Sequence, residues 1–387
     1  MPHKINGKAE VIVGITVVLA LAAIAGISAY KTHAEIDSHL FFREYPHLLE
    51  TRLDSCEACH ISITAPPPGD RNGRAVRLST CDSCHVITDY GRKTGNTLNT
   101  YGLDFMKAGR NPGAFLAIAK LDSDGDGWTN ADELKAATNP GDPESSPDRK
   151  PAPHVVVSFN ELIGKNIPVH EQTIFVNVSK SRDGDSYSSL RGFKLIDVLE
   201  AAGISDEAKS VDVISIDGYM ATFSIDQLRR DYPQAPPVLG LDAKTLGECG
   251  WVRYGAGNLQ EGVPLPDANI LLTFEVNGEK YAPASLNEKG RLTGSGPFRV
   301  VAPQMENPGI PDMPVWATDA CKAMVPEKFH YNRDYEKNAD YCVKAVTVIR
   351  INPLPPGTMD INWPQHTLNA IADKNIVIFG ALKDGRK

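Results

Sequence analysis

The strongest constraint on this chain is a short motif that occurs twice, as Cys56-Glu57-Ala58-Cys59-His60 and as Cys81-Asp82-Ser83-Cys84-His85. Two thiols two residues apart can both bond the vinyl groups of one porphyrin, and the histidine that follows then presents its imidazole to the iron. The spacing therefore predicts two haem c groups, attached through Cys56, Cys59, Cys81 and Cys84, with His60 and His85 as proximal ligands. Zinc is the competing reading, because two C-x-x-C pairs can build a Cys₄ site. Such a site has no use for a histidine after each pair, and structural zinc fingers are rare beyond a membrane segment. A thiol-redox role would need a strand ahead of each pair, and none is readable there.

Residues 11–30 carry no charge. As a helix rising 1.5 Å per residue they would span the hydrocarbon core of a bilayer. Cleavage as a signal peptide is the alternative, but the apolar run is long and the small-residue cleavage pattern poor. Lys4 and Lys8 ahead of the run predict a cytoplasmic N-terminus, with Lys31 just beyond it weakening the asymmetry. The expected location is thus the cytoplasmic membrane, single-pass, with the bulk of the chain in the periplasm. A net charge of −8 leaves no basic footprint for nucleic acid and fits the steering of a basic partner.

Sixth iron ligands are sought near the motifs. His47 and His39 lie upstream of the first, and Met106 lies where a loop could return it to an iron after the second. The order of preference is His47, Met106, His39, with surface histidines and a core methionine as the ordinary alternatives.

Residues 122–133 read Asp-Ser-Asp-Gly-Asp-Gly-Trp-Thr-Asn-Ala-Asp-Glu and match the D-x-D-x-D-G-x-x-x-x-x-E pattern of a calcium loop. Asp122, Asp124 and Asp126 offer carboxylates, Gly127 the sharp turn, Trp128 a carbonyl, Asn130 a direct or water-mediated contact and Glu133 a bidentate closure. The plain alternative is an acidic turn whose Asn130 caps the next helix. A single loop of this kind is expected to be structural. Its calcium would fix the edge of the haem module.

Prolines and small polar residues crowd 139–154 and mark a linker. Beyond it, runs at 173–178, 211–216, 270–276, 298–302, 343–351 and 376–379 read as strands, 194–202 as an amphipathic helix, and Asn277-Gly278 as a hairpin turn. The expected division is 1–30 membrane anchor, 31–138 dihaem module with the calcium loop, 139–154 linker and 155–387 an α+β domain. Cys321 and Cys342 flank an aromatic insertion and are expected to pair in a disulfide, and Cys249 stands alone.

Two resemblances extend these readings. Cys81 to Pro143, through the second C-x-x-C-H, Leu98-Asn99-Thr100-Tyr101-Gly102 and the 122–133 loop, resembles bacterial secreted cytochromes. That likeness implies haem and calcium in one small module. Lys194 to Gly203, Asp217-Gly218-Tyr219 and Gly296-Pro297-Phe298-Arg299-Val300-Val301 resemble a sulfite-oxidase-type molybdopterin domain. In that family a cysteine ahead of the leucine-rich helix ligates molybdenum, and here no cysteine lies between His85 and Lys194. Molybdopterin is therefore not expected, and Cys249 is the one thiol that could stand in.

The expected fold class is an N-terminal transmembrane helix, a small mostly α or irregular c-type cytochrome domain, and a C-terminal α+β domain of sulfite-oxidase molybdopterin-like type. The expected function is electron transfer between periplasmic or membrane redox proteins, with the C-terminal domain as a docking scaffold. A molybdopterin-dependent oxidoreductase with a haem relay, and a sensor or binding module, are the rival readings.

Overall fold

Two hydrophobic cores of different make-up organise the computed structural model, which describes residues 36–49, 51–54, 98–178, 184–216, 219–286, 292–362 and 374–383. The first core is small and helical. Helices Ile36–Glu44, Thr100–Lys107, Pro112–Ile118 and Asn130–Ala136 enclose Phe41, Leu48, Leu53, Tyr101, Phe105, Phe115, Ile118 and Leu134. Each of the last three helices starts at a side-chain cap: Asn99, Asn111 and Thr129 accept from Gly102 N, Gly113 N and Asp132 N. Phe105 stacks on Phe115 with centroids 4.2 Å apart, so aromatic area compensates for short helices.

The second core belongs to a β-rich domain. Its strands are β1 Lys150–Pro151, β2 His154–Ser158, β3 Val169–Val176, β4 Ser186–Lys194, β5 Ser210–Ser215, β6 Met220–Ser224, β7 Arg253–Tyr254 and β8 Leu271–Val276. They continue as β9 Glu279–Lys280, β10 Ser285–Leu286, β11 Leu292–Thr293, β12 Arg299–Val301, β13 Val346–Asn352, β14 Thr358–Met359 and β15 Asn375–Gly380. One sheet runs β12-β8-β4-β3 and the other β2-β15-β13-β5-β6. Helix Leu195–Ala202 follows β4 directly and buries Leu195, Ile196, Val198, Leu199 and Ala202. It packs in the cluster that joins both sheets, with Phe193, Phe298, Val213 and Ile349. The predicted turn closes the β8–β9 hairpin, Asn277 and Gly278 both taking positive φ.

Of the three residue sets behind the molybdopterin-domain resemblance, the first and third supply core residues. Gly203 caps the helix in the left-handed region, and Phe298, Val300 and Val301 are buried. Asp217 and Gly218 lie outside the described residues.

Three expectations are corrected. The described residues are mixed α/β with several sheets and mostly β, and a small mostly α cytochrome domain is not shown among them. Residues 1–30, the expected anchor, lie outside the described residues. Among the described residues no helix is long and apolar enough to cross a membrane, so the single-pass location is withdrawn. The longest of them, Ile36–Glu44, has 9 residues, about 14 Å against a core of about 30 Å.

The third correction concerns sulfur. Cys321 bonds Cys249, with Cα atoms 5.3 Å apart, and Cys342 is free and buried. The reason is packing. Cys321 sits on the short helix Asp319–Lys322 in the cluster that holds Leu246 and Trp251. Cys342 precedes Val343, which exchanges backbone hydrogen bonds with Val300, and so points into a different cluster with Leu190 and Val301.

The stretch expected as a linker, 139–154, is built into the fold. Asn139 N donates to Ser145 Oγ, Ser145 N to Asp142 O and Arg149 N to Ser146 O. Thr138, Ser145 and Ser146 are buried. β1 then pairs in parallel with β14, and Ala152 enters a core cluster with Val348 and Phe379. On the other side Arg52, also buried, donates from its backbone N and its Nε to Asn362 Oδ1. The helical unit is thus fastened to the β-rich domain at two places.

Candidate metal centre

The 122–133 loop is shaped by its own acids. Asp122 accepts Gly125 N at 2.7 Å and Gly127 N at 2.9 Å. Asp124 accepts Asp126 N, and Asp126 accepts Trp128 N. Gly125 and Gly127 have φ of 84° and 100°, a region open at low cost to glycine because it has no Cβ. At the neck Asn130 N donates to Leu121 O and Ala131 N to Ala119 O. The backbone thereby turns three carboxylates inward: oxygens of Asp122, Asp124 and Asp126 all lie within 4.8 Å of one another.

Glu133 is a fourth acid, coupled by charge to all three. It stands on the helix capped by Thr129 and is fully buried. Neither of its carboxylate oxygens has a hydrogen-bond partner, and the same holds for one oxygen each of Asp124 and Asp126. Burial pushes the Glu133 carboxyl up to about 9, and the charges that add to this are all acids, Asp124, Asp126, Asp122 and Asp142. Asp124 is pushed up to about 6, first by burial and then by Asp126. A buried carboxylate without partner or counter-charge costs several kcal/mol, of order 1–3 for the lost hydrogen bonds alone. A hard divalent cation with oxygen ligands at 2.3–2.6 Å removes that cost. The donor set, four carboxylates and no nitrogen or sulfur, fits calcium and not a soft metal.

Asn130 has a different role from the one expected. Its Oδ1 accepts Ser123 N, and its Nδ2 donates to Ile118 O and Ser123 Oγ. It braces the loop from behind. Trp128 is 37 % exposed, which suits a residue contributing only its carbonyl. Sequence reasoning passed over Asp104, whose Oδ2 accepts Ser123 Oγ at 2.9 Å and ties the loop to helix Thr100–Lys107. No template position announces it.

Cys56, Cys59, His60, Cys81, Cys84 and His85 lie outside the described residues. Of the sixth-ligand candidates, His39 and His47 are exposed and Met106 is 38 % exposed. His47 Nε2 lies 3.1 Å from Leu134 O, so that nitrogen is in use as a link to the helix of Glu133. Met106 is not the core residue its neighbour Phe105 is.

Cys249 cannot stand in as a thiolate ligand, because its sulfur is in the disulfide. The free thiol among the described residues, Cys342, is pushed up by burial and is a poor thiolate. Of the insertion's aromatics, Phe329 is buried and Tyr331 is 38 % exposed, while Tyr331 and Tyr335 lie beside Lys337. The more exposed apolar groups are Val315, Trp316 and Met324.

No protein-family model matches the chain, and no curated protein is significantly similar to it.

Proposed function

We propose that this protein carries two covalently attached haems at Cys56–His60 and Cys81–His85, passes electrons between redox partners, and holds one structural calcium in the 122–133 loop. The observation that carries the haem reading is the twice-repeated C-x-x-C-H. When bound, a haem supplies one-electron redox chemistry at its iron. The calcium reading is supported by Glu133, buried with neither oxygen hydrogen-bonded and under the charges of Asp124, Asp126 and Asp122, whose own oxygens cluster together. These four residues would hold the ion, and the Trp128 carbonyl would add to them. Asp104 and Asn130 hold the loop that presents them.

The β-rich domain is read as the surface that receives a redox partner. Val315 and Trp316, each 53 % exposed, favour such a role, since aromatic residues are enriched at interfaces and interface centres are more apolar than the rim. The Cys249–Cys321 bond removes the one thiol that could have replaced the missing molybdenum ligand.

Metal analysis of protein produced with a cytochrome maturation system tests the reading. The expected result is two iron and one calcium per chain, with haem-linked peroxidase staining surviving denaturing gels and iron halved by Cys56→Ala/Cys59→Ala. Bound zinc without a Soret band would end the haem reading. A melting temperature indifferent to chelator, in protein without calcium, would end the calcium reading.

A further inference from the structure

We infer that calcium in the 122–133 loop locks the helical unit onto the β-rich domain, so that cation occupancy and inter-unit docking are one coupled equilibrium. The inference rests on the calcium reading above and goes beyond it: the ion is assigned control over contacts far outside its own loop.

Two routes of direct contact leave Glu133. The first runs along the chain. Glu133 O accepts both Thr138 N at 2.9 Å and Thr138 Oγ1 at 3.2 Å. Thr138 is fully buried and leads into the turns at 139–149, which close on Ser145 Oγ. From there Lys150 N donates to Gly357 O, Ala152 N to Met359 O, and Ala152 is buried against Val348 and Phe379. The second route runs through the helical core. Leu134, next to Glu133, packs in one cluster with Leu48 and Leu53, and its carbonyl holds His47. Leu53 follows Arg52, which grips Asn362 twice. Asp360, two residues away, is the charge that acts on the Arg52 guanidinium and is itself bonded by Arg350 of β13 at 2.8 Å. Both routes end on neighbouring parts of the β-rich domain, at 357–362.

With the ion in place, the four carboxylates hold helix Asn130–Ala136 in position, and with it Thr138 and Leu134. With the ion removed, Glu133 is left buried beside three acids with neither oxygen hydrogen-bonded. The simplest relief is to let Glu133 reach water, which turns the helix and draws Thr138 and Leu134 away from both routes. Coupling of this kind is reciprocal. Docking must tighten calcium binding by the same factor by which calcium tightens docking.

The test uses the full chain with its haems. Calcium affinity is measured by calorimetry, and hydrogen exchange is followed with calcium and with chelator in peptides covering 138–153 and 46–54, with β13 as an internal reference. Chelation is expected to speed exchange at least tenfold in both peptides and to leave β13 unchanged. Arg52→Ala removes a grip remote from the loop and is expected to raise the calcium Kd severalfold, while Glu133→Gln abolishes the calcium effect. If calcium binds but exchange at 138–153 and 46–54 is the same with and without it, the lock is wrong and the calcium reading stands. An unchanged Kd in Arg52→Ala overturns the coupling through the second route. If calcium does not bind at all, the underlying reading fails and the lock falls with it.

Discussion

The two units treat buried charge in opposite ways. In the β-rich domain the buried acids among the described residues each have a cation or a donor facing them. Asp212, fully buried on β5, accepts Arg350 Nε at 2.9 Å, Asn352 Nδ2 at 2.7 Å and Thr222 Oγ1 at 2.6 Å. Asp312 takes Lys337 Nζ on both oxygens and Asn177 Nδ2 on one. In the helical unit Glu133 is buried as deeply and faces only other acids. A domain that satisfies its own charges is complete as it stands. A unit that gathers charges of one sign leaves its deepest carboxylate uncompensated.

The contrast can be broken most forcefully on the β side. Arg350→Ala would leave Asp212 without its cation and take from Asp360 its Arg350 bond, and removal of one partner from a buried pair costs about 3–5 kcal/mol. A urea midpoint that hardly moves would show that the pair is not what holds β5 to β13. On the helical side the expected sign reverses: Glu133→Gln relieves repulsion and should stabilise the calcium-free protein by about 1–3 kcal/mol, while erasing the stabilisation by calcium. That stabilisation is about 2.7 kcal/mol at a calcium concentration a hundred times Kd. Destabilisation of the calcium-free protein by Glu133→Gln would place the carboxylate in an internal contact instead.

The pH dependence sharpens the same comparison. The Glu133 carboxyl is raised from 4.5 to about 9 in the fold, so the folded state holds its proton more tightly than the unfolded chain does. Its contribution is fully present below about 4.5 and is lost as pH rises toward about 9. Chelated protein should therefore lose stability across that window, and Glu133→Gln should flatten the slope. A slope identical in both would assign it to other groups. Smallest of all is Arg191→Gln, which breaks the exposed pair with Glu275 and should cost no more than about 1 kcal/mol.

Much of this was legible in the sequence where one residue type decides the matter. The acid spacing of 122–133 and the Asn277-Gly278 turn correspond to the turns found, because aspartate and glycine act locally. Strands β5, β8, β13 and β15 are apolar runs and were readable as such. β4 was not: Ser186-Tyr187-Ser188-Ser189 is polar, and it is held as an inner strand by β3 on one side and β8 on the other. The disulfide was misassigned because its choice depends on which cluster each thiol enters, which is a tertiary matter. Asp104 was invisible for the same reason, since its tie to Ser123 joins a helix to a loop. The linker composition at 139–154 spoke truly of turns, but it could not show that those turns are fastened at both ends.

The second sheet has a consequence for synthesis on the ribosome. Its order places β15 between β2 and β13, so a strand that follows all the other described ones joins one of the first to a later one. While the chain is still growing, β2 has no hydrogen-bonding neighbour and β13 exposes an open edge. Such edges invite pairing with other chains. A nascent β-rich domain therefore passes through a sticky interval that ends only when residues 375–380 have cleared the exit tunnel, and a product that stops short of them is marked for aggregation or removal.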